Sequence, residues 1–121
     1  MQKVLGFGGL FFRAQDPQAL AVWYRDHLGI DLVPQGPEDT PWIAEGGATV
    51  FAPFAQDTSY FSAASQFMIN FRVADLEAML TQLEAAGIET KRLDDMPGIG
   101  KFAHLSDPAG TPIELWEPEA P

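Results

Sequence analysis

Apolar and polar residues along this chain follow two rhythms. Short apolar runs closed by glycine, proline or small polar clusters are interrupted twice by stripes at helical spacing. Residues 5–14 read as a strand. Asp16 suits a helix N-cap and Pro17 the first helical position, where a missing N–H costs nothing. Leu20, Trp23, Tyr24, His27 and Leu28 then recur on one helical face, and Gly29 stops the helix. Strands are expected near 31–34, 41–45 and 48–54, with Gly46-Gly47 as a hairpin turn. The second half follows the same plan. Residues 66–73 read as a strand and Asp75 as a cap. Leu76, Met79, Leu80 and Leu83 form the stripe, and Gly87 is the stop. Strands follow near 88–93, 101–106 and 111–117, with a Pro-Gly loop at 97–100.

The two halves are related by a repeat. One offset of 59 positions carries Arg13 onto Arg72 and Asp16 onto Asp75. The exits Leu28-Gly29-Ile30 and Ala86-Gly87-Ile88 match after a one-residue gap. A period of half the chain implies two copies of one supersecondary unit, here βαβββ. The reading is one domain over residues 1–121: unit one about 1–54, a linker about 55–65, and unit two about 66–121.

Composition narrows the function classes. Of 121 residues, 46% are hydrophobic, and nine Phe, three Trp and two Tyr suffice for a core. Without cysteine there is no disulfide, thiolate nucleophile or thiolate metal site, which fits a reducing, cytoplasmic setting. The net charge of −10 repels nucleic acid and anionic membranes. No apolar run is long enough to span a bilayer, and the N-terminus reads as a strand without a cleavage-like site. The expected partner is therefore a small molecule.

Trp23-Tyr24-Arg25-Asp26-His27-Leu28-Gly29, the strand-Asp-Pro-helix entry, the doubled βαβββ order and the ending Asp107-Pro108-Ala109-Gly110-Thr111-Pro112-Ile113-Glu114-Leu115-Trp116 together resemble the vicinal oxygen chelate superfamily. That group includes glyoxalase I, extradiol dioxygenases and bleomycin-resistance proteins. The resemblance implies an α+β fold in which two tandem βαβββ units with curled mixed sheets enclose a cavity, commonly as a homodimer. Trp23, Trp42 or Tyr60-Phe61 are candidate dimer contacts. Metal-dependent members place ligands at positions that fall here on Gly9, Met68, near Phe51, and on Glu114. One of the four keeps a ligand-type side chain, so the chain resembles the metal-free binding members.

Side chains alternate faces along a strand, which sorts the candidates. Ile113, Leu115 and Glu117 should face the helix, as should Ala103 and Leu105, and Phe67, Ile69, Phe71 and Val73. The opposite, cavity face then carries Phe11, Phe51, Met68, Phe102 and Trp116 with Arg13, Asn70, Arg72, His104 and Glu114. A mostly apolar pocket with a few convergent polar groups suits a small ligand.

Glu114 sits among apolar neighbours, so it must be paired, metal-bound or solvated. The expected arrangement is an ion pair with Arg72 or Arg13, as carboxylate–guanidinium pairing suits a partly buried site. His104 reads as a pocket-wall histidine, with general acid–base chemistry as its functional alternative. No cofactor is expected. A divalent metal held by Glu114 and His104 is the minority alternative, because two ligands fall short of a catalytic site. Two function classes follow. One is a metal-free protein binding an apolar or aromatic ligand. The other is a superfamily enzyme, lyase- or dioxygenase-like, with substituted metal ligands or acid–base catalysis by Glu114 and His104.

Overall fold

The computed structural model describes residues 1–31 and 33–120. The helices are α1 (Pro17–Leu28) and α2 (Leu76–Ala85); the strands are β1 (Ile69–Arg72), β2 (Lys91–Arg92), β3 (Gly100–Ser106) and β4 (Pro112–Pro118). Both helices begin at the expected caps. The Asp16 side chain accepts from Ala19 N at 3.1 Å, and Asp75 from Ala78 N at 3.0 Å. Glu117 of β4 adds a second acceptor at the α2 N-terminus, taking Leu76 N at 2.8 Å. Gly29 and Gly87 end the helical segments with φ of 73° and 77°, a left-handed geometry that costs a Cβ-free residue little.

The strands form one mixed sheet in the order β1-β4-β3-β2. β4 runs parallel to β1 and antiparallel to β3, which runs antiparallel to β2. The second half thus contributes β1, α2, β2, β3 and β4, one βαβββ set. Register pairs Ile69 with Ile113, Phe71 with Leu115, Ala103 with Leu115 and Leu105 with Ile113. That face packs on Leu76, Leu80 and Leu83 of α2 and on Leu20 and Tyr24 of α1. Ile113, Leu115, Leu76 and Leu83 are fully enclosed. Burying one such side chain is worth about 1.5–3 kcal/mol, so this two-helix, one-sheet sandwich dominates the stability.

Tyr24 ties the halves together with a polar bond inside this core. Its hydroxyl donates to Asp107 Oδ2 at 2.6 Å. The other Asp107 oxygen takes Ala109 N at 2.8 Å and Thr111 N at 2.9 Å, closing the turn between β3 and β4. Burial, then the bond to Asp107 and its charge, push the Tyr24 phenol well above its ordinary range, so it stays a donor.

The first half departs from the expected plan. Residues 5–14, 41–45 and 48–54 form no strand among the described residues. The strand expected near 31–34 includes Leu32, which lies outside them. Among the described residues, one βαβββ unit is formed, in the second half, and the first unit's strands are not. The physical reason is visible in exposure. A strand exists through the ladder it shares with a neighbour, and these segments have none. Leu5, Phe7, Phe11, Ile43 and Phe51 are exposed, whereas Phe12 still reaches Tyr24 and Phe67 edge-on.

Candidate functional site

Register brings three strands to one polar row. Asn70 on β1 lies opposite Glu114 on β4, and Glu114 lies opposite His104 on β3. Since β4 runs between β1 and β3, the three side chains stand side by side on the face away from the helices. Glu114 is 6% exposed. Its Oε1 accepts from Asn70 Nδ2 at 2.8 Å, and its Oε2 lies 2.8 Å from His104 Nε2. A fourth residue arrives from the linker: the Tyr60 hydroxyl donates to Oε2 at 2.5 Å. For His104 to donate as well, Nε2 must carry the proton. The desolvation cost of the buried carboxylate is thus offset by three side-chain hydrogen bonds.

Tyr60 is held by its ring as well as by its hydroxyl. The ring lies 5.7 Å from Phe54 and 5.1 Å from the His104 ring, which it meets nearly at right angles. Burial raises the Tyr60 phenol above its ordinary range, and the bond to Glu114 and its charge raise it further. An open groove of about 970 Å³ runs past Tyr60 and His104, with Trp23, Thr90 and Pro108 among its other walls. Glu114 does not line it, whereas Tyr60 and His104, both bonded to its Oε2, do.

The neighbouring row is aromatic. Trp116 pairs with Phe102 across β3 and β4 and with Arg72 across β1 and β4. The Trp116 and Phe102 rings are parallel within 1° at 6.1 Å, and Trp116 Nε1 donates to the Ile99 carbonyl at 3.0 Å. Arg72 turns away from Glu114. Its guanidinium donates to the Glu45 carbonyl at 3.0 Å and lies against Gly47, where the expected Gly46-Gly47 hairpin turn is not formed because the flanking segments make no ladder. The expected ion pair between Glu114 and Arg72 or Arg13 is therefore not formed. Arg72 sits one row from Glu114, Arg13 is exposed, and the Glu114 oxygens are already taken by Asn70, His104 and Tyr60.

Of the candidate residues, Asn70, Arg72, Phe102, His104, Glu114 and Trp116 share one sheet face. Met68 is half-buried just before β1. Phe11 and Phe51 are 94% and 83% exposed and stand apart from this face in the single chain. They ride on the segments that find no ladder partner. Tyr60 is the site residue that sequence reasoning missed. It was visible as an aromatic in a small, polar linker, but nothing in its spacing pointed to Glu114. His27 lies at the end of α1 with its ring 5.5 Å from Trp23, away from the Glu114 row.

Among the described residues, no three His, Cys, Asp or Glu side chains converge. Glu114 and His104 bond each other, which leaves two ligands where a catalytic ion wants about three plus an open position.

A family model described as a glyoxalase-like domain matches residues 9–116. The chain belongs to the glyoxalase-like domain family. It lies within the vicinal oxygen chelate superfamily. No curated protein matches it. Among solved structures, this glyoxalase-like domain is similar to TnmS3, an antibiotic binding protein from a Streptomyces species. The identity is 22%, coverage is 87% of this chain and 88% of that one, and the TM-score is 0.58. It is also similar to a lactoylglutathione lyase from Agrobacterium tumefaciens at 22% identity, with 86% and 87% covered and a TM-score of 0.56. A member of the glyoxalase/bleomycin resistance protein/dioxygenase superfamily from Sphaerobacter thermophilus matches at 19% identity, 86% and 90% coverage and a TM-score of 0.56. At these identities the likeness establishes the fold.

Proposed function

We propose that this glyoxalase-like domain is a metal-free small-molecule-binding protein that holds an apolar or aromatic ligand on the sheet face carrying Glu114, Phe102 and Trp116. One observation carries the reading. The single buried carboxylate of that face is satisfied by Asn70, His104 and Tyr60 of the chain itself, beside an aromatic row and an open groove. A polar anchor in an apolar surround orients a ligand without a cation. The antibiotic binding described for one structural neighbour lends support.

The test begins with elemental analysis of the protein as purified. The expected result is no stoichiometric Zn, Ni, Mn or Fe. Stoichiometric metal that disappears in Glu114→Ala would refute the metal-free reading. A panel of planar aromatic compounds then follows by thermal shift, since binding to the folded state raises its midpoint. Trp116→Ala should abolish the shifts, and unchanged shifts would place the pocket elsewhere.

A second reading is favoured by the His104–Glu114 contact of 2.8 Å. A carboxylate that orients an imidazole is a general-base arrangement, so acid–base catalysis on a bound substrate is the enzymatic alternative. Product formation lost in both His104→Ala and Glu114→Gln would establish it.

The assembly proposed is a homodimer. The exposed apolar residues of the first half lie on segments with strand patterning and no ladder partner, and a second copy supplies the missing partners. Light scattering at micromolar concentration should give twice the chain mass; a monomer would contradict the proposal.

A further inference from the structure

We infer that the Asn70–Glu114–His104 row is a receptor for a phenol, and that Tyr60 is its built-in occupant, displaced when a phenolic ligand enters. The inference rests on the small-molecule-binding reading above and adds the chemical class of the ligand. Tyr60 is itself a phenol lodged in the site, brought there from 54 positions away in the chain. Its ring lies edge-on to His104, its flank meets Phe54, and its hydroxyl ends on Glu114 Oε2. The site is therefore shaped for one aromatic ring carrying one neutral O–H donor.

Tyr60 is also built to leave. It is 42% exposed, so it is not held as core. The other hydrogen bonds of its linker are local, spanning two or three residues, among them Thr58 N to the Ala55 carbonyl, Tyr60 N to Thr58 Oγ1, and Ser65 Oγ to the Phe67 carbonyl. The long-range hydrogen bond of the segment is the one from the Tyr60 hydroxyl. Withdrawing Tyr60 frees an acceptor site on Glu114 Oε2 beside the groove that Tyr60 and His104 line. A free phenol restores the lost hydrogen bond. An anionic ligand meets the Glu114 charge and a chain of net charge −10, and an aromatic ether brings no donor.

The experiment compares 4-methylphenol with 4-methylanisole, of similar shape but without the O–H donor, by calorimetric titration. In the wild type, Tyr60 occupies the site and reduces apparent affinity in proportion to the fraction of time it leaves the site free. Tyr60→Ala removes the competitor, so 4-methylphenol should bind at least about tenfold tighter than to the wild type. In that variant 4-methylanisole should bind at least about tenfold more weakly than 4-methylphenol, and adding Glu114→Ala should erase the difference. Equal 4-methylphenol affinity in wild type and Tyr60→Ala, or equal affinity for the two probes in Tyr60→Ala, overturns the inference. A second measurement needs no variant. In the wild type, saturating 4-methylphenol should move the Tyr60 ring resonances to the positions of a solvated tyrosine, and unmoved resonances under saturation overturn it as well. A panel compound that binds in a Trp116-dependent way but is indifferent to Tyr60→Ala overturns the phenol assignment and leaves the broader binding function standing.

Discussion

Tyr24→Phe removes one oxygen atom, and its effect can be worked from the geometry. The hydroxyl donates to Asp107 at 2.6 Å, with Tyr24 6% and Asp107 4% exposed. A hydrogen bond to a carboxylate is worth about 1.5–3 kcal/mol, and the deletion leaves Asp107 Oδ2 buried without its partner. The Oδ1 bonds to Ala109 and Thr111 remain, so the β3–β4 turn should hold and the loss should come to about 2 kcal/mol. The pH dependence is the sharper test. The folded-state value of Tyr24 is raised above the unfolded value near 10, so its stabilisation is fully present below about pH 10. Above that, the unfolded chain ionises first and stability falls by about 1.4 kcal/mol per pH unit for this group. Phenylalanine has no such loss, so the gap between wild type and variant should be widest at neutral pH and shrink as pH rises from 10 to 11. Urea denaturation followed by tryptophan fluorescence at pH 7, 9, 10 and 11 measures it. A variant within about 0.5 kcal/mol of wild type at pH 7, or a gap constant to pH 11, refutes the reasoning.

Four further outcomes are expected. With two tyrosines in the chain and both phenols raised, absorbance at 295 nm should show little tyrosinate at pH 10 in the folded protein. In Glu114→Ala, Tyr60 should titrate closer to pH 10, since its hydrogen-bond acceptor and the nearby charge are gone; an unchanged titration would contradict the Tyr60–Glu114 contact. Gly100→Ala should destabilise by about 2–3 kcal/mol in chemical denaturation, because φ is 142° there and the added Cβ would collide with the Glu117 carbonyl oxygen across the ladder. Gly47→Ala should push the Arg72 guanidinium off the Glu45 carbonyl, because the added Cβ would collide with it; the Arg72 guanidinium resonances should move, and unchanged resonances would contradict the contact.

The helices were legible because their signals are local. Asp16-Pro17 and Asp75 open them, Gly29 and Gly87 close them, and the stripes through Leu20 and Tyr24 and through Leu76, Leu80 and Leu83 reach the core. Strand parity was legible for the same reason, and it sorted Ile113 and Leu115 from Glu114 and Trp116. Parity says which face a residue takes, not which residue stands beside it. That depends on register between strands, and register placed Asn70 and His104 against Glu114 while setting Arg72 one row away. Tyr60 lay further out of reach, since a linker side chain closes on a strand residue 54 positions distant by no local rule.

The sequence by itself therefore determined the caps, the stripes, the alternation and the family, all properties of neighbours within a few residues. Tertiary structure decided which polar groups satisfy Glu114, where Arg72 goes, and that Tyr60 rests on the carboxylate. It also decided that the apolar segments of the first half do not become strands in one chain. Backbone hydrogen bonds in a ladder are shared between segments, so a strand pattern states a capacity, and only a neighbour in space turns it into structure.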